Sequence, residues 1–137
     1  AIKFSRKFGK GRFEIITFKD SFHGRTLATV TATGQKKYQE GFAPLPEGFK
    51  TVEFNDIEAV KAAITDKTVA IMLELIQGEG GINVAGKDFV LALRKLCNEK
   101  NLLLILQYYD VPMLFYVSHK LNPIILFGLY RVLIFLF

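Results

Sequence analysis

Apolar residues recur along this chain in two spacings, and each spacing predicts its own kind of element. Val69-Ala70-Ile71-Met72-Leu73 and Leu102-Leu103-Leu104-Ile105-Leu106 are unbroken apolar runs of strand length. Such runs suit strands covered on both faces. Glu14 to Phe18 is a shorter β-rich run between Arg12 and Lys19-Asp20, and Lys50 to Phe54 is a further strand candidate. Helical spacing governs the rest. Ile57, Val60 and Ile64 share one face of a predicted helix, with Asn55 as its cap and Glu58 three residues on, as in a capping box. Lys87 to Lys100 predicts a longer helix with Phe89, Leu93, Leu96 and Cys97 on one side. Ala1 to Phe8 reads as the end of a helix stopped by Gly9 and Gly11. Thr26 to Thr33 predicts a helix despite its four threonines. Gly34 to Gly48 is irregular, with Pro44 and Pro46 marking a surface loop.

Strand, helix, strand, helix, strand is the order of an α/β fold, with a mostly parallel sheet flanked by helices. Ligands in such sheets bind at the carboxyl ends of the strands. Three segments lie there: Ser21–Arg25, Glu74–Gly81, and the residues after Leu106. Phe22 offers a flat ring for stacking, and Arg25 offers paired donors for a carboxylate. The same residues equally suit a loop with one buried Phe and a solvated Arg. Glu74 and Glu79 flank a glycine-rich turn, where two carboxylates serve either acid/base work or a salt bridge beside an exposed loop charge. Gly78, Gly80 and Gly81 match neither the phosphate-loop nor the dinucleotide spacing. The two histidines, His23 and His119, form no nucleophile–base arrangement or metal-ligand spacing.

Composition adds a boundary. Residues 108–137 contain 21 apolar residues and three formal charges, Asp110, Lys120 and Arg131. The nearly apolar stretch from Ile124 to Phe137 is shorter than the roughly 20 residues that a helical span needs. Membrane association through this tail is therefore not expected, although the alternative to an enzyme is a non-catalytic membrane-associated or interaction protein that uses this hydrophobic tail. Net charge is +5, from 18 basic and 13 acidic residues. The charges are dispersed, so nucleic-acid binding is not expected. One cysteine, Cys97, excludes an internal disulfide and reads as a buried hydrophobe. Ala1 to Lys7 mixes charged and apolar residues with no apolar leader region, which fits a cytoplasmic protein.

Two long segments then resemble one family. Ile15 to Leu27 carries Phe22-His23-Gly24-Arg25-Thr26 after a strand, and Ala70 to Gly81 carries Glu74-Leu75-Ile76-Gln77-Gly78-Glu79-Gly80-Gly81. Both are similar to motifs of class III, pyridoxal-phosphate (PLP)-dependent aminotransferases. Thr33 to Phe42 and Phe49 to Asn55 resemble the branch acting on N-acetylornithine. The resemblance implies part of the large domain of a fold type I transferase over residues 1–107, normally homodimeric. It also implies transamination of N-acetylornithine or a related ω-amino acid with 2-oxoglutarate, in arginine biosynthesis. By position, Phe22 would stack on the PLP ring, with His23 and Glu74 beside the cofactor. Arg25 would bind the substrate α-carboxylate. Glu79 would pair with a distant arginine, and Gln77 belongs to the same substrate loop.

The resemblance stops where the composition shifts. The family's strand runs into Asp-Glu-Val-Gln-Thr-Gly, whose Asp keeps the cofactor nitrogen protonated. Here the strand runs into Gln107-Tyr108-Tyr109-Asp110. Gln107 stands at the Asp position, and Tyr109 at that of the Val packing on the ring. Leu75 replaces a usual proline. No lysine matches the family's Leu-Ala-Lys-Gly setting, and Lys120 lies in His-Lys-Leu. The phosphate-binding loop is also absent from these residues. The chain is therefore expected to be an internal fragment, with a non-homologous, possibly frameshifted tail over 108–137, and to be catalytically incompetent.

Overall fold

A computed structural model describes residues 1–107, 124–126 and 132–135. In chain order the elements are α1 (Ile2–Gly9), β1 (Glu14–Phe18), α2 (Leu27–Ala32), a 3-10 turn (Lys36–Tyr38), β2 (Phe49–Val52), α3 (Ile57–Ala63) and β3 (Thr68–Glu74). They continue through β4 (Ile76–Gln77), β5 (Asn83–Val84), α4 (Lys87–Lys100), β6 (Leu103–Gln107), β7 (Ile124–Leu126) and β8 (Val132–Phe135). The main sheet runs β2-β1-β3-β6-β8-β7. Its first four strands are parallel, and β8 and β7 close the far side as antiparallel strands. The α/β reading with a mostly parallel sheet and flanking helices therefore holds.

Residue alternation explains how two cores form around one sheet. Side chains of successive strand residues point to opposite faces. Ile16, Phe18, Ile71, Leu73, Leu104 and Leu106 pack with Val60 of α3 and with Phe89, Leu93, Leu96 and Cys97 of α4. Ile15, Ala70, Met72, Leu103 and Ile105 pack on the other face with Ala32 of α2, and Ile2, Phe4 and Phe8 of α1 cover them. Every residue of β3 is buried, as a strand covered on both faces requires. The predicted helix side of α4 is likewise the buried one.

Several element boundaries differ from those predicted. β2 spans Phe49–Val52, one residue earlier than expected at its start and two at its end. The α3 cap is Asp56, whose side chain accepts from the N–H groups of Glu58 and Ala59. Asn55 instead sits at φ 61°. Its amide donates to Val84 O at 3.0 Å, and its oxygen accepts from Gly86 N–H at 2.9 Å, which ties the start of α3 to the start of α4. An aspartate cap of this kind contributes about 1 kcal/mol. The glycine-rich segment expected as a plain loop carries the short β4–β5 hairpin.

Of the tail, the backbone of β7 and β8 is described, and β8 pairs with β6 so that Val132 lies opposite Gln107. Tyr109, Asp110, His119, Lys120 and Arg131 lie outside the described residues. Among the described residues no helix is long and apolar enough to cross a membrane.

Candidate functional site

Parallel pairing sets the carboxyl ends of β1, β3 and β6 side by side. Glu74 and Gln107, the last residues of β3 and β6, are direct register partners. By alternation both continue the face that carries Met72 and Ile105. The chain leaving β1 turns across this end and brings Phe22 and His23 onto the two strand termini.

Hydrogen bonds fix the turn. Phe22 N–H donates to Glu74 Oε2 at 2.8 Å, and His23 N–H donates to Thr33 Oγ1 at 3.0 Å. Gly34 N–H donates to the hydroxyl and the carbonyl of Ser21, at 3.0 and 3.2 Å. The Gln35 amide donates to the carbonyls of Asp20 and Ser21. His23 Nδ1 lies 2.8 Å from Gln107 Oε1, and Gln107 Nε2 donates to Phe22 O at 3.4 Å. Loop, β3 and β6 thus form one polar cluster at the sheet end.

The cluster is dry. Glu74 is 1% exposed and His23 8%. Burial pushes the Glu74 carboxyl up to about 7, against the Phe22 N–H bond that favours its charged form, and the nearby Glu79 charge adds to the rise. Burial holds the His23 imidazole down to about 4, against the Gln107 bond that favours its protonated form. Among the described residues, Glu74 Oε1 and His23 Nε2 are buried with no hydrogen-bond partner. A neutral His23 that donates from Nδ1 to Gln107 leaves Nε2 as a bare acceptor.

The remaining predicted residues lie around this cluster at different depths. The Phe22 ring is half-buried and meets the Tyr38 ring edge-on, with centroids 5.2 Å apart. Arg25 is exposed, with its guanidinium 5.7 Å from the Phe22 ring centroid. Glu79 is exposed on the β4–β5 hairpin. Gln77 is 1% exposed. Its amide donates to Lys19 O at 2.7 Å, and its oxygen accepts from Asn83 at 3.2 Å, so it anchors the hairpin to the end of β1.

Sequence reasoning did not single out Thr33, Tyr38 or Gly34 for the site, and took Gly80 only as part of the Glu74–Gly81 turn. A Cβ on Gly34 would lie 2.0 Å from Phe18 O, and one on Gly80 would lie 2.0 Å from Asp20 O. These two glycines grip the β1 turn from either side. Their signal was a glycine within an otherwise polar stretch, which suits an open turn as well as a close backbone approach. Cys97, by contrast, is as expected: burial raises its thiol to about 12, and it packs in the core.

Comparison with known proteins gives this sheet end its context. Residues 1–107 match the family described as aminotransferase class III. The chain is 60% identical over 110 residues to the acetylornithine aminotransferase of Methanocaldococcus jannaschii, covering 77% of this chain and 28% of that protein. It is 56% identical over 111 residues to the acetylornithine aminotransferase of Caldanaerobacter subterraneus subsp. tengcongensis, with the same two coverages. Among solved structures, the ornithine aminotransferase of Toxoplasma gondii ME49 superposes with a TM-score of 0.72 at 28% identity, covering 77% of this chain and 27% of its own. An (S)-enantioselective ω-transaminase from Thermomicrobium roseum gives 0.68 at 25% identity, with 77% and 30% covered. The chain thus spans little more than a quarter of the length of the relatives it matches. A match that runs unbroken from residue 1 to the last residue of β6, over the strand ends where the polar cluster sits, places this chain in the class III aminotransferases.

Proposed function

We propose that the cluster at the ends of β1, β3 and β6 is the cofactor edge of a PLP-dependent aminotransferase site, of the kind that in intact cytoplasmic enzymes acts on N-acetylornithine or a related ω-amino acid with 2-oxoglutarate. The carrying observation is the convergence of Phe22, His23, Glu74 and Gln107 on one sheet end, in a chain 60% identical to an acetylornithine aminotransferase over that region. Phe22 provides the ring face, and Arg25 beside it provides donors for a substrate carboxylate. Glu79 lies within electrostatic reach of Glu74, and its exposed carboxylate has room to pair with an arginine supplied from elsewhere. Gln77 positions the hairpin that carries Glu79. The unit so formed is residues 1–107, part of a large domain that pairs with a second copy, and 108–137 is a separate, non-homologous segment.

Bound PLP supplies an electron-withdrawing ring. The residues present fit the faces of that ring and not its charge. Gln107 is a neutral amide, His23 is neutral, and the one carboxyl among them is held up to about 7. Among the described residues of the cluster, no fixed anion balances a protonated ring nitrogen. We therefore assign no transamination step to this chain and propose that it is catalytically incompetent. Equilibrium dialysis against PLP tests the site itself. Saturable binding is expected, weakened roughly five-fold in Phe22→Ala, in line with the ~1 kcal/mol typical of an aromatic ring contact. Absence of saturable binding, or an unchanged affinity in Phe22→Ala, would remove the cofactor edge from this sheet end.

A further inference from the structure

Residues 1–13 carry five cations, Lys3, Arg6, Lys7, Lys10 and Arg12, and no acid. The rest of the chain holds 13 basic and 13 acidic side chains, so the whole net charge of +5 sits in this one segment. The fold sorts it onto one surface. Ile2, Phe4 and Phe8 of α1 pack on the sheet, and Lys3, Arg6, Lys7 and Lys10 are exposed. Lys3, Arg6 and Lys7 follow at the spacing of one helix side, and Lys10 extends the row from the C-cap. The row is about 10 Å long at the helical rise. Among the described residues none of the four forms an ion pair. Arg6 and Lys7 lie in the last turn, where the helix dipole favours cations. Lys3 lies in the first turn and gains nothing from that dipole. Two acids adjoin the segment. Glu47 gives its carbonyl to Arg6 Nη2 at 2.7 Å, and the Glu14 carboxylate is taken by Lys50 and Thr65. Arg12 donates to Thr68 O at 3.3 Å, so the row ends at the start of β3, away from Glu74 and Gln107. Exposed Lys67 adds a further cation there, its carbonyl accepting from Phe13 N–H.

We propose that the solvent face of α1 is a docking surface for an acidic polypeptide segment, whose carboxylates pair with Lys3, Arg6, Lys7 and Lys10. Charge complementarity selects an anion, and the surroundings select its class. A bilayer surface would call for an apolar helix face, and that of α1 is committed to the sheet. A nucleic-acid strand would call for free rings on which bases stack. Phe4 and Phe8 pack on the core, and the rings of Phe13 and Phe49 each face the Arg6 guanidinium at 6.0 Å. A row one helix side wide suits carboxylates spaced along a partner helix.

The test titrates a fluorescein-labelled oligoglutamate with the full chain at low ionic strength and reads anisotropy. Saturable binding is expected, lost as added salt screens exposed charges. The double variant Lys3→Glu/Lys7→Glu should weaken it by on the order of ten-fold or more. Lys87→Glu/Lys100→Glu makes the same change in net charge on α4, on the other face of the sheet, and should leave it within about two-fold. Lys3→Gln/Lys7→Gln, which adds no acid, should weaken binding in the same direction and serves if the glutamate variant does not fold. Absence of saturable binding overturns the proposal, as does equal weakening by the α1 and α4 variants. Tighter binding to an oligothymidylate or to phosphatidylserine vesicles than to oligoglutamate also overturns it, and assigns the row to phosphate instead.

Discussion

Exchanging Glu74 for glutamine is expected to stabilise the folded chain by about 2 kcal/mol at pH 7.5 and to change the shape of its pH profile. Burial raises the Glu74 carboxyl to about 7 from an ordinary value of 4.5. The folded state therefore holds a proton between pH 4.5 and 7 that the unfolded state has released. Stability falls with rising pH across that window, by on the order of 3 kcal/mol in all. His23 works in the opposite sense. Its imidazole is held down to about 4 from 6.5, so the unfolded state binds the extra proton and stability rises with pH between 4 and 6.5. The two slopes nearly cancel from 4.5 to 6.5 in the parent chain. Glu14, lowered by its hydrogen bonds to Lys50 and Thr65, titrates below this range.

Glutamine at position 74 keeps an oxygen for the Phe22 N–H and cannot ionise. Its NH₂ takes the place of the unpartnered Oε1 and forfeits about 1 kcal/mol of the gain. Urea melts at half-unit steps from pH 4.5 to 7.5 check the result. The variant should show stability rising to pH 6.5 and then level. A variant profile parallel to the parent's would mean that Glu74 is not buried as an acid.

A methyl group at Gly34 is expected to cost about 3 kcal/mol or more. The new Cβ would stand 2.0 Å from Phe18 O, 2.9 Å from Phe18 C and 3.0 Å from Lys19 Cα. All three are backbone atoms, so no side chain can swing aside. Relief requires moving the end of β1, a strand that pairs with β2 through Phe18 and with β3 as far as Ile16. Overpacking of a rigid contact costs 1–3 kcal/mol, and more where nothing yields. The same movement would break the Gly34 bonds to Ser21 and pull Phe22 and His23 off the strand ends. Gly78→Ala is the matched control: its Cβ would meet nothing within 4 Å, and a change within about 0.5 kcal/mol is expected. Similar urea midpoints for the two variants would contradict the close packing of the β1 turn.

What could be read from the sequence divides along a physical line. Strands β3 and β6 were legible because continuous apolar runs have few other uses, and α4 because Phe89, Leu93, Leu96 and Cys97 repeat at helical spacing. The cap of α3 was misread by one residue. Asn55 and Asp56 are both good caps by type, and the choice was made by tertiary bonds from Asn55 to Val84 and Gly86 that no local pattern contains. At the site, Phe22, His23 and Glu74 were found as motif residues. Their actual relation depends on register. Glu74 faces Gln107 because β3 and β6 are parallel and aligned, and His23 reaches Gln107 across 84 positions of sequence. Tyr38 and Gly34 were hidden for the same reason: each matters through what lies opposite it. The electrostatic character of the cluster was likewise not legible, because a neutral His and a raised Glu are products of burial.

Under the proposed function, an aminotransferase sheet end survives here with Gln107 in place of the ring-nitrogen anion. The most direct test is to incubate the full chain with excess PLP, N-acetylornithine and 2-oxoglutarate and to follow glutamate formation against PLP alone. No glutamate above the protein-free background is expected. Sustained, protein-dependent glutamate production that saturates with N-acetylornithine would contradict it.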